Sequence, residues 1–576
     1  MVQPRLKSFL KVSFFSMIYF SVGQMNAHAT DPIEMLDVTA AAGLDGDYFS
    51  SPTRHSLGVI WFDFNNDGYP DILATNGYDD GTGDNLRPHL YYNNKRGGFR
   101  DADELLPDLP NYEFAGAIAA DYDRDGDTDL YLYTAHEEWI TGSASGNPYD
   151  GPPNFLLKNN FIENGSRIQE NMFTDVAAEA GVDLCSSGFE AQIQAVQSVV
   201  KYGCRQTRSA TFLDYDLDGW VDLYVAQMIL NRVGDDDPIG QFANADGLFK
   251  NMGDGTFKRQ PNGIVADEVA NRATLVLRSS HLNEDRYPDL YIGNTGAGGP
   301  TAEEDLQDGV LLNDTNGKLV QAHDYIGKDT PAVMGVSFAD INDDGKFDIY
   351  ITDVPFHPSN DLDPNRVGNT LYVSHGTGYT QNVSHLYGVN FYLSWGTSFD
   401  DFNLDGKMDL MVGGGRPRNP NALQQGGDSA IFTDLGATTT SRTNLATSNV
   451  RGTALADYDR DGDRDLLVVN QDGNLQLFRN LAADTLGNNS LIIDIDPTRS
   501  NLDGIGLKVE VTTSSGKKLI RQIQGGSSLH SLDENRIFFG LGDETAEEIK
   551  LFWPHIDTPV QTITDITGHI MTIQEP

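Results

Sequence analysis

Short apolar runs separated by acidic turns recur along most of the chain. Val-Ile-Trp-Phe ends at residue 62, an acidic turn follows, and Asp-Ile-Leu-Ala begins at residue 71. Short runs that are rich in β-branched and aromatic side chains are typical of strands rather than of helices. The order of apolar run, acidic turn and apolar run occurs seven times, so the sequence predicts a β-hairpin at each copy.

The acidic turn is a motif of nine positions. Its seven copies, named loops 1 to 7, span residues 63–71, 121–129, 214–222, 281–289, 340–348, 401–409 and 457–465. In six copies Asp or Asn stands at positions 1, 3 and 5, Gly at position 6 and Asp at position 9. The copies begin 56 to 93 residues apart, and a pattern that recurs at such spacing predicts a repeat architecture.

Oxygen-bearing side chains at alternate positions of a tight turn indicate a calcium site. Carboxylate and carbonyl oxygens are the ligands that Ca²⁺ takes, Gly at position 6 permits the sharp turn, and the variable residue at position 7 can offer its backbone carbonyl. An EF-hand is excluded, because its loop needs Glu at position 12, where every copy here has an apolar residue. Position 9 supplies the fourth carboxylate instead. A single Asp-rich turn would need no metal, but six complete copies at one spacing predict calcium.

The predicted metal ligands occupy positions 1, 3, 5, 7 and 9 of the six complete loops, and we expect about six Ca²⁺, one in each. These residues are Asp63, Asn65, Asp67, Tyr69, Asp71, Asp121, Asp123, Asp125, Asp127, Asp129, Asp214, Asp216, Asp218, Trp220, Asp222, Asp340, Asn342, Asp344, Lys346, Asp348, Asp401, Asn403, Asp405, Lys407, Asp409, Asp457, Asp459, Asp461, Asp463 and Asp465. Loop 4 has His281 at position 1 and Arg286 at position 6, and keeps Asp289. It is predicted to hold no calcium, with the guanidinium standing in for the charge of the cation.

A second element lies between the loops. L-Y-Y-N-N-K-R-G-G-F from Leu90 and L-F-K-N-M-G-D-G-T-F from Leu248 indicate another hairpin with an Asn/Gly turn. Two hairpins in roughly 60 residues have the size of a propeller blade. The sequence thus predicts an all-β fold, a seven-bladed calcium-loop β-propeller over residues 30–484 followed by a small β-domain over residues 485–576. The segment D-V-T-A-A-A-G-L from Asp37 is expected to complete the last blade and close the ring.

Net charge excludes two classes of partner. The chain has 84 Asp and Glu against 40 Lys and Arg, and its formal charge is −44. Such a field repels phosphate backbones and anionic lipid surfaces, so no nucleic acid and no membrane insertion are expected. Positions 1, 3, 5 and 9 of the complete loops hold 21 of the carboxylates, so bound calcium would offset much of the excess.

The N-terminus has the pattern of a secretory signal. Arg5, Lys7 and Lys11 precede an apolar stretch at 12–23, and Ala-His-Ala at 27–29 supplies a cleavage pattern. The apolar stretch is shorter than the roughly 20 residues that a membrane anchor needs. We therefore expect residues 1–29 to be removed near Ala29 and the mature protein to be secreted, periplasmic or extracellular.

The two cysteines lie in an expected insertion. Loop 2 and loop 3 begin 93 residues apart, which predicts an insertion at about 141–209 with a short helix near 190–200. In an exported chain Cys185 and Cys204 are most simply a disulfide, and two buried free thiols remain the alternative.

The loops resemble FG-GAP/VCBS repeats over about residues 55–480. In those repeats, which also build integrin α-subunit propellers, the Asp and Asn positions named above ligate Ca²⁺. The segment after residue 491, with G-I-G-L-K-V-E-V from Gly504 and I-K-L-F-W-P from Ile549, resembles the ASPIC/UnbV domain. The order of the two matches the cartilage acidic protein family and its bacterial relatives. The chain departs from the family at Gly506-Leu507 and at Trp553-Pro-His-Ile556, where Gly-Ala and Trp-Pro-Ser-Gly are usual.

Two classes of function fit the sequence. The first is extracellular binding or cell adhesion, with a glycan or a protein as ligand, which is also what the resemblance implies. The second is a polysaccharide lyase or hydrolase that works in the central channel and uses calcium to hold its fold or to orient an acidic sugar. His136-Glu-Glu-Trp139 is the one local cluster with acid–base potential, and no catalytic motif accompanies it. The sequence therefore favours a binding protein and assigns no catalytic residue.

Overall fold

The structure is a computed structural model. It describes residues 33–45, 55–78, 87–134, 152–185, 207–227, 246–261, 274–294, 308–322, 325–326, 333–354, 368–391, 393–414, 422–426, 433–434, 450–470 and 474–576. The predicted signal segment and His136 lie outside these residues. Within the described ranges, no helix has the length and the apolar character to cross a lipid bilayer.

Within the described residues, the first part of the chain forms seven antiparallel sheets. β1 (Met35–Asp37) belongs to the last of them. The strands are, in sheet 1, β2 (His55–Phe62), β3 (Asp71–Tyr78), β4 (His89–Asn93) and β5 (Phe99–Asp101); in sheet 2, β6 (Phe114–Ala120), β7 (Asp129–Thr134), β8 (Phe155–Asn159) and β9 (Phe173–Asp175); in sheet 3, β10 (Thr207–Leu213), β11 (Asp222–Gln227), β12 (Gly247–Asn251) and β13 (Phe257–Arg259); in sheet 4, β14 (Thr274–Ser280), β15 (Asp289–Asn294), β16 (Gly309–Asn313) and β17 (Leu319–Gln321); in sheet 5, β18 (Val333–Ala339), β19 (Asp348–Asp353) and β20 (Thr370–Tyr372); in sheet 6, β21 (Ser394–Asp400), β22 (Asp409–Gly414), β23 (Ala422–Gln425) and β24 (Thr433–Asp434); in sheet 7, β25 (Val450–Ala456), β26 (Asp465–Asn470) and β27 (Leu475–Asn480).

Each acidic loop joins the first two strands of its sheet. β2 ends one residue before loop 1, β3 begins at its ninth position, and the other six loops follow the same rule. The second hairpin predicted from Leu90 is also present, as β4 and β5. The hairpin predictions and the all-β fold class are thus confirmed.

The first strands of the sheets contact one another in a closed cycle. Each packs against the first strand of the next sheet, and β25 packs against β2. These strands are almost wholly buried, as in β6 (F-A-G-A-I-A-A) and β10 (T-R-S-A-T-F-L). β1 pairs antiparallel with β27, with Met35 opposite Asn480. The expectation that the N-terminal segment completes the last sheet is confirmed.

The insertion was predicted too broadly. Residues 155–175, inside the expected insertion of 141–209, form the third and fourth strands of sheet 2. A one-turn helix, α1 (Ala177–Ala180), follows them. The expected helix near 190–200 lies outside the described residues, as does Cys204, so the disulfide with Cys185 stays a prediction.

The last part of the chain forms two further sheets. One contains β28 (Asn489–Asp496), β31 (Ile537–Gly542) and β34 (Ile570–Gln574), and the other contains β29 (Lys508–Thr513), β30 (Lys518–Gln522), β32 (Ala546–Phe552) and β33 (Gln561–Ile563). Two short helices precede them, α2 (Ser384–Tyr387) in the ring and α3 (Ala482–Thr485) at the change of sheet. Trp553 is buried at the end of β32, and its indole N–H donates to the Gln561 Oε1 at 2.8 Å. The prediction that this last part of the chain forms β-strands is therefore confirmed.

The C-terminal sheets sit on the face of the ring that carries the acidic loops. Arg124 of loop 2 donates to the carbonyl of Arg499 at 3.0 Å, and Lys517 donates to the carbonyl of Gly406 of loop 6 at 2.6 Å. The backbone N–H of Ile556 donates to the carbonyl of Leu217 of loop 3 at 3.0 Å. The loops therefore form much of the surface that contacts the C-terminal domain.

Residues 525–533 of the C-terminal domain, named the central segment, reach into the ring. Within the described residues the segment makes hydrogen bonds to six of the seven sheets, and Leu529 belongs to the hydrophobic cluster that contains Val333 and Val336 of sheet 5. The hydrogen bonds join Leu532 to Val59 and Trp61, His530 to Tyr133, Gly525 to Phe212, Ser527 to Arg278, Ser528 to Thr397, and Asp533 to Leu455. A short segment can meet so many inner strands only at their common centre, so the central segment lies in the middle of the ring.

Candidate metal centre

The backbone of each complete loop takes the same path. The fourth position has positive φ in all six, at Asn66, Arg124, Leu217, Asp343, Leu404 and Arg460. The sixth position is Gly with φ between 82° and 107°, a conformation that a side chain disfavours. Two left-handed residues so close together curl the chain around a small centre.

The first Asp holds this curl from inside. In loop 1 the Asp63 Oδ1 accepts the N–H of Asp67 at 3.1 Å, and its Oδ2 accepts the N–H of Gly68 at 2.7 Å. The same pair of bonds recurs in loops 2, 3, 5 and 6. The fifth position then accepts the N–H of the seventh, as Asp67 does from Tyr69 at 3.0 Å.

The Asp at position 9 has a second role that the sequence did not indicate. Asp71 Oδ2 accepts the N–H of Phe64 at 3.3 Å, and its Oδ1 accepts the N–H of Asn93, at the end of the third strand, at 2.7 Å. The arrangement recurs in every loop, including loop 4, where Asp289 accepts from Leu282 and Asn313. Position 9 therefore ties the two hairpins of a sheet together, which explains why loop 4 retains its Asp.

Unpartnered oxygens mark the centre of the loops. At position 3 the Oδ1 atoms of Asn65, Asp123, Asp216 and Asp459 are buried and have no hydrogen-bond partner. At position 7 the Oδ1 atoms of Asp127 and Asp463 are also buried without a hydrogen-bond partner, and both residues are at most 1% exposed. A buried carboxylate oxygen without a partner costs free energy. A hard cation removes that cost, so the donor set fits Ca²⁺.

The carboxylates converge. In loop 2 one oxygen each from Asp121, Asp123 and Asp129 lie within 4.8 Å of one another. Loop 3 and loop 7 hold similar groups, Asp214 with Asp216 and Asp218, and Asp457 with Asp459 and Asp465. Glu163, which the sequence did not single out, joins Asp125 and Asp127 in a neighbouring group.

Crowded burial perturbs these acids in the protein without metal. Burial, together with the Asp503 carboxylate, raises the pKa of Asp121 to about 8. Burial and the Asp461 carboxylate raise the pKa of Asp463 to about 8. The pKa of Asp129, fully buried at position 9, is raised well above its usual value by burial. The loops therefore hold negative charge at a cost that a cation would remove.

Three basic side chains each contact both position 3 and position 5 of a loop, and the sequence interpretation missed them. Lys158 contacts Asp123 and Asp125, Lys250 contacts Asp216 and Asp218, and Arg479 contacts Asp459 and Asp461. Each stands at the next-to-last position of the third strand of its sheet. The repeated pair Lys-Asn or Arg-Asn was visible in the sequence, but nothing local ties it to the loop.

The Asn that follows links neighbouring sheets. Asn159 Nδ2 donates to the carbonyl of Phe64 in loop 1 at 2.8 Å and to that of Thr128 in loop 2 at 3.1 Å. Asn93, Asn251, Asn313 and Asn480 make the corresponding bond to the preceding loop of the cycle. In sheets 5 and 6 the position holds Ser374 and Gly426. This hydrogen bond, named the Asn latch, links neighbouring loops in the five sheets that have the Asn.

The two residues that distinguish loop 4 contact the C-terminal domain. His281 is buried, its Nε2 lies 2.8 Å from the carbonyl oxygen of Gly506, and burial lowers its pKa to about 4. Arg286 donates to the carbonyls of Trp553, His555, Ile556 and Thr558 at 2.9–3.2 Å. The guanidinium was expected to lie beside the loop and to stand in for the charge of the cation, whereas the side chain extends outward to the C-terminal domain.

A cavity of about 540 Å³ lies where loops 1, 2 and 7 meet the C-terminal sheets. Its lining includes Asp63, Arg460, Asp494, Asp503, Glu534 and Arg536. The volume is within the range of small-ligand sites, and the lining is rich in charge.

Comparison with known proteins agrees with the geometry. The sequence matches the FG-GAP-like repeat family over residues 63–132, 281–351 and 401–468, and the ASPIC and UnbV family over residues 497–576. No curated protein sequence matches the chain.

Similar solved structures include the rhamnogalacturonan lyase YesW (10% identity, 74% of this chain and 71% of that one, TM-score 0.37) and rhamnogalacturonan lyase PL11 of Bacillus licheniformis, with the same values. The exotype rhamnogalacturonan lyase YesX is similar at 9% identity over 74% of this chain and 72% of that one, also with a TM-score of 0.37. A TM-score this low supports no inference about activity. The repeat geometry and the family matches agree, and the chain is a protein of FG-GAP-like repeats that ends in an ASPIC/UnbV domain.

Proposed function

We propose that the protein is a secreted, calcium-binding, seven-bladed β-propeller that acts in extracellular binding or adhesion. The seven sheets are its blades, residues 30–484 and 485–576 are its two domains, and the six complete loops hold one Ca²⁺ each. The observation that carries the proposal is the buried, unpartnered Oδ1 at position 3 of loops 1, 2, 3 and 7. In loops 2, 3 and 7 those atoms lie beside convergent carboxylates, as a calcium cage requires.

Calcium would act here as a structural ion. It would join positions 1, 3, 5 and 9 of a loop, and through position 9 it would stiffen both hairpins of the blade. An ion that binds only the folded chain stabilises it by mass action. Equilibrium dialysis of the mature protein tests the assignment: about six Ca²⁺ per chain are expected, and two or fewer would refute it.

The ligand is proposed to be an extracellular glycan or protein. The filled centre of the ring weighs against the alternative, a lyase or hydrolase with its site in the central channel, because residues 525–533 occupy that channel. The cavity of about 540 Å³ beside loops 1, 2 and 7 is the pocket we propose for a polar ligand.

A glycan array combined with an activity screen, run with and without EDTA, separates the two functions. Binding without turnover is expected, and turnover of any polysaccharide would contradict the binding role. Asn535→Arg, which places a long side chain in the cavity lining, should abolish binding. Asn316→Arg, on an exposed turn, is the matched control and should leave binding unchanged.

A further inference from the structure

The basic residues at loops 2, 3 and 7 occupy equivalent places. Lys158, Lys250 and Arg479 each precede an Asn whose N–H donates to the ninth position of the loop, so the three strands are in the same register. Lys158 Nζ lies 2.8 Å from Asp125 Oδ2, and Lys250 Nζ lies 2.7 Å from Asp218 Oδ2. The recurrence of the same contact in three separate repeats indicates that it belongs to the repeat structure and is not a chance surface ion pair.

The basic residue occurs together with one kind of loop. Loops 2, 3 and 7 have Asp at position 3, whereas loops 1, 5 and 6 have Asn65, Asn342 and Asn403 there. At the equivalent strand position, one residue before Asn93, Ser374 and Gly426, those three sheets have the uncharged Tyr92, Val373 and Gln425. An Asp-type loop has four carboxylates at positions 1, 3, 5 and 9 and a basic residue at this strand position, and an Asn-type loop has three carboxylates and an uncharged residue there. The formal charge of these five positions is therefore −3 in every complete loop.

The basic side chain leaves room for an ion. It binds the Oδ2 atoms at positions 3 and 5, whereas the Oδ1 atoms of Asp123, Asp216 and Asp459 remain buried and unpartnered. The lysines near the Asn-type loops behave differently. Lys95 is 41% exposed and lies 3.2 Å from Asp67 Oδ2 at position 5 and 5.5 Å from the centre of the Tyr69 ring at position 7 of loop 1. In loop 5, Lys346 lies 3.7 Å from Asp344 at position 5, and Lys517 lies 3.0 Å from Asp343 at position 4.

We propose that Lys158, Lys250 and Arg479 are built-in counter-cations that hold loops 2, 3 and 7 in shape when calcium is absent and weaken calcium binding there. The inference rests on the proposed calcium function. It divides the loops into two classes: the Asn-type loops 1, 5 and 6 depend on calcium for their conformation, and the Asp-type loops 2, 3 and 7 keep it without the ion. A positive charge a few ångströms from the ion opposes its entry, and charge count at the ligands is what tunes calcium affinity.

Hydrogen exchange in EGTA tests whether the counter-cations hold loops 2, 3 and 7 in shape without calcium. In the wild type, residues 63–71, 340–348 and 401–409 should exchange quickly, and residues 121–129, 214–222 and 457–465 should stay protected. Lys158→Met should make residues 121–129 exchange like loop 1 and leave the other loops unchanged. Lys318→Met, which removes an exposed charge from the turn between β16 and β17 of sheet 4, is the matched control. Equal exchange of all six loops in wild-type protein would overturn the proposal.

Calorimetric titration with calcium tests whether the counter-cations weaken calcium binding. Lys158→Met should raise the affinity of one site about tenfold, since a like charge is removed from beside the ion. Lys158→Met with Asp123→Asn converts loop 2 to the Asn type and should return that affinity to near the wild-type value. A Lys158→Met variant that titrates like Lys318→Met would contradict the inference. If the wild type takes up no calcium while the exchange pattern holds, the proposed function fails and the role of the counter-cations in the metal-free loops survives.

Discussion

The hydroxyl of Tyr133 and the Nδ1 of His530 lie 3.1 Å apart in the middle of the ring, although 397 residues separate them in the sequence. Both side chains are buried. Their contact joins the second sheet to the C-terminal domain, so the two parts of the chain share one interior. The C-terminal domain is therefore part of the ring's core and not an appendage.

Close packing around the central segment predicts the effect of adding one methyl group. A Cβ on Gly58 would lie 1.9 Å from the carbonyl oxygen of His530, which is rigid backbone. We expect Gly58→Ala to displace the central segment and to lower the free energy of unfolding by roughly 1–3 kcal/mol, as overpacking does.

Urea unfolding measures this loss, and Gly487→Ala is its control, because a Cβ there meets no atom within 4 Å. Equal stability of the two variants would show that the central segment is not held in the ring.

The buried His530 predicts a pH dependence. Burial, followed by the charges of Arg278 and Arg208, lowers the pKa of His530 to about 3. An unfolded His titrates near pH 6.5, so below that pH the unfolded chain binds a proton that the folded chain refuses. This contribution to stability is complete above pH 6.5 and is lost as the pH falls, by about 2 kcal/mol at pH 5.

The loop carboxylates shift in the opposite direction, so the test compares variants in the same calcium-saturated buffers. His530→Gln should lose less stability than the wild type between pH 8 and pH 5. Parallel profiles would mean that His530 is not buried as a neutral ring.

Arg286 is expected to anchor the C-terminal domain. Its four bonds to carbonyls at residues 553–558 would be lost in Arg286→Ala, leaving partly buried acceptors unpaired. We expect destabilisation of about 1–3 kcal/mol, with faster hydrogen exchange at residues 553–558. Arg96→Ala, at an exposed turn, should change neither quantity. Unchanged exchange in the Arg286 variant would exclude the anchor.

The Asn latch gives a fourth prediction. Asn159→Ala removes the donors to Phe64 and Thr128, whose carbonyls then lack that partner in a buried site. A cost of about 1–3 kcal/mol follows from two unsatisfied acceptors. Thermal unfolding measures it, with Asn316→Ala on an exposed turn as the control. The latch would be unimportant if both variants melted together.

Local chemistry explains what the sequence could predict. Asp63, Asp67 and Gly68 lie within six positions of one another, and turn geometry sets their hydrogen bonds. The hairpin and its ligand pattern can therefore be predicted from the residues alone. Lys158 and Asp123 are 35 residues apart, and only the pairing of the third strand brings them together. Arg286 was misinterpreted because its neighbours in the sequence are loop residues, whereas its long side chain reaches a domain that begins some 200 residues later.

Pairing of β1 with β27 has a consequence for the order of folding. Thr39 accepts a hydrogen bond from Leu477, a residue 438 positions further along the chain. β1 is synthesised early and stays unpaired until nearly all of the chain has been made. Closing so long a loop is slow because its entropy is lost before the contact forms. The ring is therefore completed as one late event, and a chain interrupted before residue 475 leaves its last sheet open to any other strand that comes near.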